Sequence, residues 1–198
     1  MRTQSFDSIT SGALDKLIWH MRSAQIRRHL PRPVDHIADF GCGRTAPLLQ
    51  ALLDKGMAKN ATGIDLDPDY SAATRALTLL QADLNEPLPL DDAGFDAALS
   101  LATLEHLDEP ELHLREIYRA LRPGGILLLT TPSPRGKPVL EFLAYRLKII
   151  DRREIEDHRR YFTTAMLETA LESAGFSPAA ITAGTFQLGM NNIVVASK

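Results

Sequence analysis

The chain has 198 residues, 44% of them hydrophobic, with a formal net charge of −3 and a single cysteine. That length supports one domain with a sizeable core, burying roughly 70% of its unfolded surface; the mild acidity gives no general attraction for nucleic acid, and one cysteine excludes an intramolecular disulfide framework. No stretch approaches the roughly 20 apolar residues of a membrane span and no apolar signal core follows Met1-Arg2-Thr3-Gln4-Ser5, so a cytoplasmic protein is expected.

Residues 12–30 read as an amphipathic helix, with Leu14, Leu17, Ile18, Met21 and Ile26 roughly on one face and Arg22, Arg27 and Arg28 mostly elsewhere. Pro31 and Pro33 end it. Val34 to Phe40 is a short apolar strand, and Thr45-Ala46-Pro47 opens a helix with a capping hydroxyl and a first-turn proline. Ala61 to Leu66 and Leu77 to Ala82 give two more strands, and Phe95 to Leu101 a fourth, entered from the turn Asp92-Ala93-Gly94. Leu84 to Asp91 takes the place of a full helix between the third and fourth strands. Asp108, with Glu111 three residues on, forms a capping box for a helix whose buried stripe is Leu114, Ile117, Tyr118 and Leu121. Pro123-Gly124-Gly125 breaks that helix before the strand Ile126 to Thr130.

Residues 135–160 carry eight Lys or Arg against five Asp or Glu, interleaved with Leu140, Leu143, Leu147 and Ile150. They read as a helical insertion over the mouth of the sheet. Phe162 and Leu167 staple a further helix begun by Thr163 and ended by Gly175. Ile181 to Ala183 and Asn192 to Ala196 close the chain as a strand pair. Strands alternating with helices through residue 131 predict an α/β fold with a doubly wound, mostly parallel sheet. The expected organisation is one domain over 1–198: a cap helix at 12–30, a cofactor-binding core at 34–131, a lid insertion at 135–160, and a closing helix and strands at 161–198.

The chemistry concentrates in Asp39-Phe40-Gly41-Cys42-Gly43, followed 22 residues after Gly43 by Asp65. Two glycines at a strand-to-helix turn admit a ligand close to the backbone, and a carboxylate at the next strand tip accepts ribose hydroxyls. Asp39 would repel a pyrophosphate and attract an ammonium. Asp83 in Gln81-Ala82-Asp83-Leu84 adds a third acid at a third strand tip. Weaker readings stand beside these: Asp65 as a helix cap and Asp83 as an exposed loop acid. Cys42 could be read as a nucleophile, but with no dedicated base in the motif it is read as a small packing residue. Gly41-x-Gly43-x-x-Ala46 also satisfies a dinucleotide fingerprint, which would make the chain a nicotinamide-dependent oxidoreductase; Asp39, Asp83 and the missing proton-donor set argue against it. The six histidines lack metal-ligand spacing, so no metal site is expected.

This order of features resembles the class I S-adenosylmethionine-dependent methyltransferases, in particular their type 11 group, which includes quinone-pathway enzymes. The resemblance implies a seven-stranded Rossmann-like sheet with an antiparallel C-terminal strand. It also implies that Gly41 and Gly43 pass under the methionine part of S-adenosylmethionine, with Asp39 near its amino group. Asp65 corresponds to the ribose-binding carboxylate, Leu66 to the residue packed on adenine, Asp83 to the acceptor of the adenine amine, and Leu84 to the amide that meets the ring. Leu101 and Ala102 correspond to backbone positions near the methionine carboxylate and the methyl group. Thr45 stands where the family usually has a third glycine.

Two histidines are candidate general bases: His106, just past the fourth strand, and His158, at the end of the insertion. Each has the plainer reading of a helix-start or packing residue. Leu101-Ala102-Thr103-Leu104 lacks the (Asp/Asn)-Pro-Pro-(Tyr/Phe) motif of enzymes that methylate DNA bases, so no specific nucleic acid is expected. The basic segments at the mouth point to an anionic or lipid-linked small acceptor and are compatible with contact at a membrane surface; two solvated helices explain them equally well. The expected function is O- or C-methylation of such an acceptor, yielding S-adenosylhomocysteine. The alternative is a non-catalytic S-adenosylmethionine-binding partner or sensor.

Overall fold

The two central parallel strands are covered on both faces, which is why they read as apolar runs rather than alternations. In β1 (Val34–Phe40) the four residues from Ile37 to Phe40 are all buried, and in β4 (Phe95–Leu101) everything from Phe95 to Ser100 is. The computed structural model describes residues 24–30, 33–139 and 159–198. The expected cap helix is therefore described only from residue 24, where residues 24–29 are helical. Of the 135–160 insertion, residues 140–158 lie outside the described part, and His158, Arg152 and Arg153 with them.

After β1 come α1 (Pro47–Asp54), β2 (Ala58–Asp65), β3 (Leu77–Gln81) and β4, then α2 (Pro110–Ala120), β5 (Leu121–Pro132), α3 (Thr164–Ala174), β6 (Ile181–Phe186) and β7 (Asn191–Ser197). They form one seven-stranded sheet in the order β3-β2-β1-β4-β5-β7-β6. β1 pairs in parallel with β2 and β4, β2 with β3, and β4 with β5; β7 runs antiparallel to both β5 and β6. The doubly wound sheet with an antiparallel closing strand is thus as expected. On one face α1 and Ile26 and Leu30 pack against Ile37, Ala97, Leu99 and Leu128. On the other, α2 and α3 cover Phe40, Ala98, Leu127, Leu129 and Val194.

Three local expectations fail, two of them because of partners distant in the chain. Thr45 does not cap α1: the N-cap is Ala46, held at φ +48, and no side chain caps it, although Pro47 does occupy the first turn. Asp108 does not cap α2 either; Glu109 is the N-cap, and the Asn85 side chain accepts the Asp108 and Glu109 amides at 2.7 and 3.0 Å. Pro123-Gly124-Gly125 does not separate helix from strand but bulges within β5. Leu121 pairs with Phe95, and the next pair is Ile126 with Ala97, while the Gly124 amide and Gly125 carbonyl bond to the Lys198 backbone. The Thr163 cap and the Gly175 terminus hold, with Thr163 accepting the Met166 amide at 3.3 Å and Gly175 at φ +117.

Candidate functional site

The chain leaves β1 in one direction for β2 and β3, then returns to the other side of β1 for β4. The connections after β1 and β4 therefore diverge and open a crevice at the C-terminal ends of these strands, where open α/β sheets bind ligands. Asp39 sits there, buried, with Gly63 and Leu99 as its register partners. Asp65 closes β2 beside Gln81 of β3, and Asp83 follows β3. The three acids occupy the tips of three adjacent strands.

The two glycines have different reasons to be glycine. At Gly41 (φ +87) a Cβ would lie 2.5 Å from the Thr103 hydroxyl oxygen. That hydroxyl donates to the Phe40 carbonyl at 3.1 Å and clamps the end of β1 to the loop after β4. At Gly43 (φ +73) a Cβ would meet nothing within 4 Å; this is the position where the backbone faces open space. The Gly43 amide donates to Asp65 Oδ2 at 2.9 Å and the Asp67 amide to Oδ1 at 3.2 Å, so the glycine turn and the β2 tip orient one carboxylate together. Between the glycines, Cys42 is buried and its thiol donates to the Gly43 carbonyl at 3.2 Å. Burial first, then the charges of Asp39 and Asp65, push its pKa well up, which makes it a poor nucleophile.

Leu66 is exposed to 39% next to Asp65, a large apolar side chain left facing solvent. Leu84 sends its side chain into the core, which leaves its backbone for any ligand contact. Asp83 is exposed, and its Oδ1 accepts both the amide and the side-chain Nδ2 of Asn85, each at 2.9 Å. Leu101 and Ala102 are half-buried at the end of β4. Ala102 is in the left-handed region at φ +55, with its amide bonded to the Thr130 carbonyl at 2.8 Å. A non-glycine residue held there stores strain, and it does so at the mouth of the crevice. His106 is half-buried in the 3-10 turn Leu104–His106, its amide donating to the Thr103 carbonyl at 3.0 Å.

Sequence reasoning missed Thr103, Asn85 and His113. Asn85 had a signal, since Asp-x-Asn favours an Asx turn; Thr103 and His113 had none. His113 of α2 is fully buried, 3.1 Å from the Ser100 hydroxyl of β4 and edge-on to Phe40. Burial pushes its pKa down to about 3, so the ring is neutral. Two of the arginines assigned to a basic mouth are engaged with the protein itself. Arg159 pairs with Asp108 and Arg160 donates to the Asp108 carbonyl at 3.3 Å. Among the described residues no helix is long and apolar enough to cross a membrane.

A family model described as a methyltransferase domain matches residues 38–129. A probable S-adenosylmethionine-dependent methyltransferase of Mycolicibacterium smegmatis is 31% identical over 71% of the chain, which covers 51% of that relative. A ubiquinone biosynthesis O-methyltransferase of Psychrobacter arcticus is 28% identical over 71% of the chain and 58% of its own length. The chain thus spans between half and three-fifths of the length of these two relatives. Among solved structures, an S-adenosylmethionine-dependent methyltransferase from Mesorhizobium loti superposes with a TM-score of 0.67 at 19% identity, covering 91% of this chain and 97% of its own. The [4+2]-cyclase SpnF superposes at 0.71 with 19% identity, over 98% of this chain and 86% of its own.

Proposed function

We propose that the protein transfers a methyl group from S-adenosylmethionine to oxygen or carbon of a small-molecule or lipid- or glycan-linked acceptor, a reading supported by the match of residues 38–129 to a model described as a methyltransferase domain. The observation that carries the reading is the row of acids at three adjacent strand tips beside a glycine whose would-be Cβ faces open space. A sulfonium amino acid joined to a nucleoside offers an ammonium, a ribose diol and an adenine amine in that order, and Asp39, Asp65 and Asp83 match them one to one. The residues present fit the group.

In this reading Gly41 and Gly43 carry the turn beneath the methionine moiety, and Asp65 accepts the ribose hydroxyls with the carboxylate that Gly43 and Asp67 orient. Leu66 packs on the adenine face and the Leu84 amide meets its edge. The Leu101 and Ala102 backbone flanks the methionine carboxylate and the reacting centre. The bound cofactor supplies an already activated methyl group, so the protein's task is alignment of the acceptor in line with it. Such positioning contributes roughly 7–11 kcal/mol. Where the acceptor carries a proton to be removed, His106 at the rim is the described candidate base, with His158 as the second; a base contributes about 10²- to 10⁴-fold. The 1–198 chain works as one domain.

Titration calorimetry with S-adenosylmethionine tests the cofactor. Wild type is expected to bind, and Asp65→Ala to bind about tenfold or more weakly, having lost charge-assisted bonds to two hydroxyls. Transfer of labelled methyl to a cell extract tests the reaction and identifies the product by mass. Absence of binding removes the proposal; binding with no transfer to any fraction identifies a cofactor-binding partner or sensor instead.

A further inference from the structure

Asn85 stands between Asp83 and the start of α2, and its side chain bonds to both. Its Nδ2 and its own amide both donate to Asp83 Oδ1 at 2.9 Å. Its Oδ1 accepts the Asp108 amide at 2.7 Å and the Glu109 amide at 3.0 Å. Only one orientation of the side-chain amide satisfies both sets, because carboxylates accept and backbone amides donate. The Asp108 and Glu109 amides are fixed in turn: they open α2, whose remaining turns pack Leu114 and Ile117 into the core. Asp108 is further held by Arg159 through its carboxylate and by Arg160 through its carbonyl.

Asp83 itself is exposed on a loop with no regular structure. An exposed carboxylate on such a loop samples several rotamers, and ordering it on binding costs free energy. Asn85 removes that freedom by occupying Oδ1, and it leaves Oδ2 with no hydrogen-bond partner among the described residues.

We infer that Asn85 is a positioning residue for cofactor selectivity: it ties Asp83 to the start of α2 so that one carboxylate oxygen is presented in a set direction to the exocyclic amine of the base. The inference rests on the proposed cofactor and deepens it. Asn85 touches no part of the nucleoside. It acts by letting Asp83 distinguish an amine at the purine 6-position from a carbonyl there, since an acceptor-only carboxylate is repelled by the carbonyl.

The test compares S-adenosylhomocysteine with S-inosylhomocysteine, in which the 6-amine is replaced by a carbonyl and N1 gains a proton, by calorimetry on the whole chain. Wild type is expected to prefer the adenosyl ligand at least tenfold. In Asn85→Ala the preference is expected to fall to about two- or threefold, mainly through weaker adenosyl binding, with little change for the inosyl ligand. Asn85→Asp keeps the acceptor for the Asp108 and Glu109 amides, and so keeps α2 anchored, but sets a second carboxylate against Asp83. It is expected to lose the preference with a smaller drop in melting temperature than Asn85→Ala. A merely structural asparagine would weaken both ligands equally, and that result, or an undiminished preference in both variants, overturns the inference. Wild-type protein that binds neither ligand overturns the cofactor reading and this inference with it, whereas adenosyl binding with unaltered selectivity in the variants overturns the role of Asn85 alone.

Discussion

Gly41 and Gly43 lie two residues apart, share a left-handed backbone, and are expected to respond to the same substitution in opposite ways. At Gly41 an added methyl collides with Oγ1 and Cγ2 of Thr103, at 2.5 and 2.8 Å. Together with φ +87 this gives an expected loss of about 2–3 kcal/mol in folding stability for Gly41→Ala. Because the collision is with one side chain, Gly41→Ala combined with Thr103→Ala should be less damaging than the two single losses added, as coupled neighbours are. At Gly43 the methyl meets open space, so only the backbone conformation is penalised, by about 1 kcal/mol. There the methyl would stand where the proposed ligand passes, and S-adenosylmethionine affinity is expected to fall at least tenfold. Urea melts and calorimetry on the two alanine variants separate the effects; equal stability losses with equal affinity losses would show that the two glycines share one role.

At the level of elements, what the sequence disclosed was whatever depends on neighbours in the chain. β1 and β4 appear with the expected bounds because their apolar runs are continuous, and Thr163 and Gly175 mark the ends of α3 because capping is a local geometry. The three acids were legible for the same reason: each stands at or near the end of a strand-forming run. Features that depend on partners far along the chain were not legible. The cap of α2 comes from Asn85, 23 and 24 residues upstream of the amides it accepts, and Gly41 is explained by Thr103, 62 residues away in the chain. The other end of α2 repeats the lesson. Lys198 Nζ donates to the carbonyls of Tyr118 and Leu121 at 2.7 Å each and of Arg119 at 3.3 Å, and lies 4.6 Å from the Tyr118 ring centroid. A cation at a helix C-terminus satisfies carbonyls that have no partner within the helix and complements its dipole. Lys198→Met keeps most of the length of the side chain and loses all three bonds. It is expected to cost about 1–2 kcal/mol and to lower the melting temperature by about 2–8 °C in a chain of this size. An unchanged melting temperature would show that water serves those carbonyls equally well.

For the molecule as a whole, the buried histidine makes stability depend on pH. His113 sits between α2 and β4, fully buried, its ring 3.1 Å from the Ser100 hydroxyl. Burial holds its pKa at about 3 in the folded protein, against about 6.5 in an unfolded chain. The folded pKa is the lower one, so between these values the unfolded chain binds the extra proton and folding weakens as the pH falls. Above about pH 7 the ring is neutral in both states and contributes no pH dependence. By pH 5 the single group has removed about 2 kcal/mol, approaching 1.4 kcal/mol for each further pH unit. His36, also lowered by burial, acts in the same sense. Glu116 is held low chiefly by its bond to Arg119, so its contribution is lost only below the ordinary carboxylate range, outside the interval from pH 7 to 5. Denaturant melts at pH 7.5, 6 and 5 on wild type and His113→Gln provide the measurement. Glutamine fills much of the same space and can still bond to Ser100, but it does not titrate. The variant is expected to start less stable at pH 7.5 and to lose about 2 kcal/mol less than wild type on going to pH 5, so the two curves converge; parallel curves would mean that the folded protein accepts a proton at His113 and that the contact between α2 and β4 is open to water.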